Sequence, residues 1–409
     1  MLRSRKQTGI KIEEWRDKGM KKICCMNAIS TTGTDRLKEG YELTDCLEGA
    51  DAVLVRSASL HDTDFPDSLE AIARAGAGVN NIPLDVCTEK GIVVFNTPGA
   101  NANGVKELVL AGMLLAARDI AGGIEWVREN REDENIAKVM EKTKKSFAGT
   151  EIRGKTLGVI GLGAIGIEVA NAAYALGMDV IGYDPFLTVG SALRLSRAVH
   201  VTANVDDVYR SSDYITVHVP LLPSTKEKLN AEAFSKMKDG VVILNYARDL
   251  LVNDDDMAEA LKSGKVHRYM TDFPNNKTAN MENVVATPHL GASTAESEEN
   301  CAVMAVDELR TYLETGCIRN SVNYPGCDLP PEECACRICI LNVNRPNMIV
   351  RFTSLLSGKG INIPNMANKS RGEAAYTLID CDTMPDDSVI DALRMIDGVR
   401  RVRVIRYNA

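Results

Sequence analysis

The chain has 409 residues, 45% of them hydrophobic and 25% charged, enough for two or three domains with cores of their own. Its net charge of -8 at pH 7 argues against nucleic acid or an anionic membrane surface as a partner, and no apolar run approaches the length of a membrane span. The eleven cysteines would imply disulfides only in a secreted chain, and the charged N-terminus has no signal-peptide pattern, so a reduced, cytoplasmic protein is expected.

In chain order, residues 1–19 precede a second possible start at Met20 and read as a peripheral extension. From Lys22 onward strands and helices alternate. Ala52–Val55 reads as a strand entering Arg56-Ser57. Leu69–Ala75 reads as a helix, followed by the loop Gly76-Ala-Gly78-Val79-Asn-Asn81. Val93–Phe95 reads as a strand, Asn96–Asn101 as a turn cluster, and a long apolar helix is expected from near Val105 to about Arg118.

The densest signal follows. A short apolar run, Thr156–Ile160, reads as a buried strand. It leads into Gly161-Leu-Gly163-Ala164-Ile165-Gly166 and a helix over Ile165–Leu176, then a second strand, Asp179–Tyr183, ending in Asp184. Glycines at this spacing make a tight turn and let the backbone approach a pyrophosphate, which the helix N-terminus attracts. A carboxylate at the end of the second strand accepts the ribose hydroxyls and repels a 2′-phosphate, so NAD is expected rather than NADP.

Three further buried strands each end in a polar or special turn: Ile215–Val219, Val241–Asn245 and Val284–Ala286. In a doubly wound sheet such ends line the ligand crevice. They carry His218-Val219-Pro220, Tyr246-Ala247-Arg248 and Thr287-Pro-His289, with Gly291 just beyond. Hydride chemistry on a hydroxy acid needs a cation for the carboxylate and an acid/base for the hydroxyl proton. Arg248 offers a planar fork for the first. Among the five histidines, His289 is the best acid/base candidate and His218 the second.

Past Asn320 the pattern changes. Residues 321–335, with Pro325, Gly326 and Pro330, read as a linker. Then come a strand (Ile338–Val343), a turn, a helix (Met348–Gly358), strands over Ile361–Met366 and Ala374–Asp380, a helix (Ser388–Ile396) and a last strand (Val399–Ile405). This βαββαβ order is ferredoxin-like. The cysteines Cys327, Cys334, Cys336 and Cys339 lack the paired spacing of a zinc site, and buried core positions are expected for Cys336 and Cys339, with no metal.

With these motifs in order, from Gly76-Ala-Gly-Val-Asn-Asn to Pro288-His-Leu-Gly-Ala-Ser-Thr294, the chain from about residue 20 to its end resembles the D-isomer-specific 2-hydroxyacid dehydrogenases. The resemblance implies an α/β protein in which a Rossmann-like NAD domain (122–289) is inserted in a split flavodoxin-like substrate domain (20–121 and 290–320). A linker (321–335) and a C-terminal ACT domain of ferredoxin-like βαββαβ fold (336–409) follow. It implies NAD-dependent oxidation of a phosphorylated 2-hydroxy acid, 3-phosphoglycerate, at C2, opening L-serine biosynthesis. The alternatives are a glyoxylate or hydroxypyruvate reductase, or an NAD-sensing regulator.

By the same resemblance Arg248 and His289 are catalytic, Asp272 binds the nicotinamide carboxamide, and Gly78 and Val79 bind the substrate carboxylate. Arg56 with Ser57 falls on the phosphate side; Lys106 departs from the family, standing where alanine is common, and would add a cation to a phosphate-bearing pocket. Asn342, Asn344 and Asn362 fall on an L-serine effector site, and a homodimer or homotetramer is implied. Three further departures stand out. Asn276 occupies the place of the glutamate that partners the histidine, and it can orient the ring but supplies no charge; Glu282 is the nearest substitute in sequence. Asp249 stands where glycine is usual, and aspartate tolerates a left-handed backbone better than most residues; Asn347 also stands where glycine is usual.

Overall fold

The structure, a computed structural model, describes residues 20–330 and 334–407; the N-terminal extension lies outside the described residues. The chain divides into two compact units. One runs through Ala100 and resumes at Glu298; the other, Asn101–Ser297, is inserted between those parts.

The first unit holds a parallel sheet of β1 (Lys21–Cys25), β2 (Tyr41–Thr44), β3 (Ala52–Val55), β4 (Ala71–Arg74) and β5 (Val93–Phe95), in the order β2-β1-β3-β4-β5. That is the flavodoxin-like order, with one reversal next to the first strand. Here one expectation fails. The segment expected as a helix over 69–75 contains β4, hydrogen-bonded between β3 and β5. Ala71, Ile72 and Ala73 are wholly buried. A strand covered on both faces shows no alternation, and a short apolar run then reads equally as helix or strand.

The inserted unit carries β6 (Thr156–Ile160), β7 (Asp179–Tyr183), β8 (His200–Thr202), β9 (Tyr214–Val217), β10 (Val241–Asn245), β11 (Val266–Thr271) and β12 (Val284–Ala286). The order β12-β11-β10-β9-β6-β7-β8, all parallel, is that of a doubly wound Rossmann sheet extended by one strand. β9 stops at Val217, two residues before the expected end, where the chain turns into His218 and Pro220. One face packs on the helices Ala102–Ala117 and Ala164–Ala175 through Val109, Met113, Ile167 and Val169.

The remaining sheet lies in the first unit. Strands β13 (Cys336–Val343), β14 (Asn365–Arg371), β15 (Ala374–Cys381) and β16 (Val399–Arg406) form an antiparallel sheet ordered β14-β15-β13-β16, with helices Met348–Gly358 and Asp387–Arg394. The βαββαβ order is as expected, but the second strand is not the expected Ile361–Met366. It begins at Asn365. Ile361 and Ile363 instead pack into the core beside it, and Pro364 has no N–H to give the ladder. Asn347, directly before the helix, has a left-handed backbone with φ +68.

One face of this sheet shares its core with the first sheet. Cys339, Leu341, Tyr376, Leu378 and Ile405 pack with Leu54, Phe95, Tyr312 and Leu313. Residues 321–330 join the same packing: Ser321 bridges to Phe95, and buried Tyr324 donates its hydroxyl to the Thr88 carbonyl at 2.8 Å. Proline and glycine mark this stretch as loop, but Tyr324, Pro325, Cys327 and Leu329 are buried; residues 331–333 lie outside the described ones. Cys336 and Cys339 are fully buried, and no group of metal-ligating side chains occurs among the described residues. No described helix is long and apolar enough to cross a membrane.

Candidate active site

Because every strand of the inserted sheet is parallel, the C-terminal ends of β6, β7, β9, β10, β11 and β12 share one edge. The residues after them are Gly161, Asp184, His218, Arg248, Asp272 and His289. Parallel pairing alone therefore brings together six positions spread over more than a hundred residues.

The glycine turn is built for close backbone packing. Gly161 has φ +97, and a Cβ there would lie 2.5 Å from the His218 carbonyl oxygen. A Cβ on Gly166 would come within 1.9 Å of the Gly161 carbonyl oxygen. Gly163 is different: a Cβ there would meet nothing within 4 Å. No side chain caps the helix Ala164–Ala175 at Gly163, so its first N–H groups are left to an anion. Asp184 accepts from the Leu162 N–H (2.9 Å) and the Phe186 N–H (2.8 Å), which fixes the carboxylate beside the turn with lone pairs to spare for hydroxyls. The open glycine, the uncapped helix and the placed carboxylate fit a dinucleotide.

His218 hydrogen-bonds through Nε2 to the Thr216 hydroxyl at 2.9 Å, while its Nδ1 is sealed from solvent with no partner. Burial pushes its pKa down to about 3, so the ring is neutral at physiological pH. Val219 is half-buried and Pro220 exposed. Tyr246 is buried, its hydroxyl against Gly112 of the helix Ala102–Ala117, and burial, with Asp272 nearby, raises its pKa. Ala247 is half-buried.

Arg248 is presented by Asn245. That buried amide donates to the Arg248 carbonyl (2.8 Å) and to the Tyr269 hydroxyl (3.2 Å), and accepts from the N–H groups of Ala247 and Arg248. Asp249 follows in a 3-10 turn and is not among the described residues with positive φ, so the left-handed turn expected there is absent and no glycine is needed.

Asp272 is 1% exposed. One carboxylate oxygen accepts from the Gly291 N–H at 2.9 Å, and the other has no partner. Burial raises its pKa against the pull of that hydrogen bond. His289 has φ +49, a left-handed backbone uncommon outside glycine. Its N–H donates to the Asp272 carbonyl (2.8 Å) and the Thr287 carbonyl (3.0 Å). Its exposed ring packs on Phe273, with centroids 4.5 Å apart and planes tilted 45°. The Arg248 guanidinium sits 5.8 Å from the centroid of the same phenyl ring.

Asn276 makes no hydrogen bond to the His289 ring among the described residues. It is exposed, its carbonyl accepts from the Asn280 amide, and no hydrogen bond joins Glu282 to that ring among the described residues either. Phe273 was missed in sequence. The available signal was its place directly after the strand-end Asp272.

Lys106 is half-buried on the helix Ala102–Ala117 and donates to Asn103. The other substrate candidates lie in the first unit. The N–H groups of Arg56, Ser57 and Ala58 all donate to the Asn27 side-chain oxygen, at 3.1, 3.1 and 2.9 Å, and the Arg56 guanidinium pairs with Glu298. Gly78 and Val79 are half-buried in the loop after β4. Of the three asparagines in the C-terminal sheet region, Asn342 is 1% exposed with its side-chain oxygen unpartnered. Asn344 donates to the Gly372 carbonyl, and Asn362 is exposed.

Residues 110–291 match a family model described as the D-isomer specific 2-hydroxyacid dehydrogenase, NAD binding domain. The chain is 30% identical over 398 residues to a D-3-phosphoglycerate dehydrogenase of Haemophilus influenzae, covering 93% of each chain. It is 38% identical over 296 residues to a hydroxypyruvate reductase of Thermotoga maritima, covering 69% of this chain and 92% of that one. The crystal structure of NAD+-bound 3-phosphoglycerate dehydrogenase from Entamoeba histolytica superposes with a TM-score of 0.58 at 26% identity, over 75% of this chain and 99% of that one. The chain spans about half the length of other curated relatives, 55% and 52% of two of them.

Proposed function

Because the chain belongs to the D-isomer-specific 2-hydroxyacid dehydrogenase family, we propose that it oxidises 3-phosphoglycerate at C2 to 3-phosphohydroxypyruvate with NAD, the first step of L-serine biosynthesis. The observation that carries this reading is the common sheet edge. It sets a fixed arginine and an exposed histidine, both against Phe273, on the edge that also bears the open glycine turn and Asp184. NAD, when bound, accepts the hydride from C2. Gly161, Gly163, Ala164, Ile165 and Gly166 would hold its phosphates and Asp184 its ribose. The carboxamide falls to Asp272.

Arg248 would hold the substrate carboxylate and polarise C2–O through its paired N–H groups. His289 would take the hydroxyl proton as the C2–H bond breaks. Gly78 and Val79 would add N–H groups to the carboxylate, and Arg56, Ser57 and Lys106 cations or donors to the phosphate. A split substrate domain (20–121 and 290–320), an NAD domain (122–289), a linker (321–335) and an ACT domain (336–409), with a cytoplasmic location and a homodimer or homotetramer, belong to the same proposal. So does an L-serine effector at Asn342, Asn344 and Asn362, which the buried, unpartnered Asn342 oxygen supports.

The test is a steady-state assay with 3-phosphoglycerate, hydroxypyruvate, glyoxylate and lactate, each with NAD or NADP in the matching oxidation state. Highest kcat/KM on the phosphorylated pair with NAD is expected. Arg248→Lys should lose on the order of 10²-fold or more, because an ammonium cannot make the planar double contact. A preference for unphosphorylated hydroxypyruvate would replace this assignment with the reductase.

A further inference from the structure

We propose that Phe273 is the positioning residue for both reacting side chains, doing by ring contact what a carboxylate partner of the histidine would do by hydrogen bond. The inference rests on the reading of His289 and Arg248 given above.

Three observations lead to it. First, the His289 ring has no hydrogen-bond partner among the described residues, and its Cα is in a left-handed conformation held by two backbone acceptors. That anchors the backbone and leaves the ring's χ angles to whatever it touches. Second, the described ring contact is Phe273, at 4.5 Å and 45°, inside the range where tilted aromatic pairs attract. Third, Arg248 lies 5.8 Å from the same centroid, within cation–π reach. One phenyl ring therefore touches an acid/base candidate from β12 and a carboxylate-binding candidate from β10.

Phe273 is itself well fixed. Its N–H donates to the Thr271 hydroxyl at 3.1 Å. The preceding residue, Asp272, holds the His289 N–H with its carbonyl and the Gly291 N–H with its carboxylate. Backbone and ring contacts thus tie the β11 loop to the β12 loop twice over consecutive residues. Arg248 and His289 are both exposed. Without the ring, the guanidinium would keep only its hydrogen bond to the Ala247 carbonyl (2.6 Å) and the imidazole would be left to turn, and a displacement of about 1 Å at a reacting group is enough to cost up to roughly a hundredfold in rate.

The phenyl face is also apolar on its surroundings, yet it presents a negative quadrupole to the guanidinium. It orders Arg248 without neutralising it, as a carboxylate at the same place would. The arginine keeps its full charge for the substrate carboxylate.

The experiment uses the full chain with histidine carrying ¹³C in the ring. His289→Asn identifies the His289 resonance by its loss. In the parent protein that resonance is expected to be shifted upfield by the phenyl ring current. Phe273→Leu keeps apolar bulk and removes the face. It should move the resonance to the position of an unstacked histidine and lower kcat by about ten- to a hundredfold, with NAD affinity unchanged. Phe273→Tyr keeps the face and should restore both resonance and kcat. A Phe273→Leu protein with the parent resonance and parent kcat overturns the proposal. A moved resonance with parent kcat also overturns it, because the contact would then exist without positioning anything. If His289→Asn keeps parent kcat, the acid/base reading has failed instead, and the kinetic arm identifies that failure separately from the ring contact.

Discussion

At the scale of single residues, the most consequential group outside the candidate site is Glu308. It lies on the helix Ala295–Thr315 and is 7% exposed. The Asn320 amide donates to one oxygen at 2.6 Å, and the other oxygen is buried without a partner. Burial pushes its pKa up to about 8, with Asp307 adding to the rise and the Asn320 bond opposing it. In the unfolded chain the group ionises near 4.5. The folded form therefore binds the proton more tightly, and the stability this contributes is complete below 4.5 and lost as pH rises through 8. Glu308→Gln removes the titration. It should raise stability on the order of 1–3 kcal/mol at about pH 9 and change little at about pH 5. Urea unfolding at the two pH values reads this directly. Equal shifts at both would mean that Glu308 is not the titrating group.

At the scale of the element, the β6–turn–helix unit separates glycines that build the fold from one that serves a ligand. Gly166 is pressed against the Gly161 carbonyl, where a Cβ would be 1.9 Å away. Neither backbone can yield without moving the helix from the strand. Gly166→Ala should cost about 1–3 kcal/mol by overpacking, and NAD affinity with it. Gly163 has ordinary helical-cap geometry, φ -80, and open space where its Cβ would be. Gly163→Ala should leave the melting temperature in place and weaken NAD, because the methyl group would occupy the path of the pyrophosphate. Thermal melts and NAD titrations of both variants separate the two roles. Parent-like NAD binding by Gly163→Ala would show that the phosphates approach elsewhere.

At the scale of the whole molecule, the first unit is completed from both ends of the chain, and buried charge joins them. Arg403 of β16 pairs with Glu70, just before β4, at 2.8 Å. Its guanidinium lies 4.3 Å from the Tyr312 ring centroid, and it donates to the carbonyls of Tyr312 and Leu313. Lys21 reaches the other Glu70 oxygen at 3.3 Å. Burial pushes the Glu70 carboxyl up, but Arg403 and Lys21 outweigh it and hold the pKa below its ordinary value. Its contribution to stability is therefore present above the unfolded value of 4.5 and lost as pH falls through the lower folded value. Glu70→Gln strands the arginine charge in the interior. A loss of about 3–5 kcal/mol is expected, the usual size for breaking a buried pair, read as a lower denaturant midpoint near neutral pH. An unchanged midpoint would mean that the core around Cys339 and Tyr376 holds the C-terminal sheet unaided.

The sequence by itself determined what is local or periodic. The run from Thr156 to Asp184 is strand, turn, helix and strand as read, because glycine spacing and apolar runs act within a few residues of the chain. The order of elements from Cys336 to Arg406 was legible for the same reason, as was the family pattern that singled out Arg248 and His289. Tertiary structure decided the rest. Ala71–Arg74 became a strand because β3 and β5 supply its hydrogen bonds on either side, and neither neighbour is visible in its own residues. The strand expected over Ile361–Met366 moved along the chain because Ile361 and Ile363 found a core that only the folded sheet and its helices provide. Arg403 met Glu70 across more than three hundred residues, and Phe273 met His289 only because β11 and β12 run side by side. Pairings of this kind depend on distances that the chain closes by folding, and no local preference of either partner encodes them.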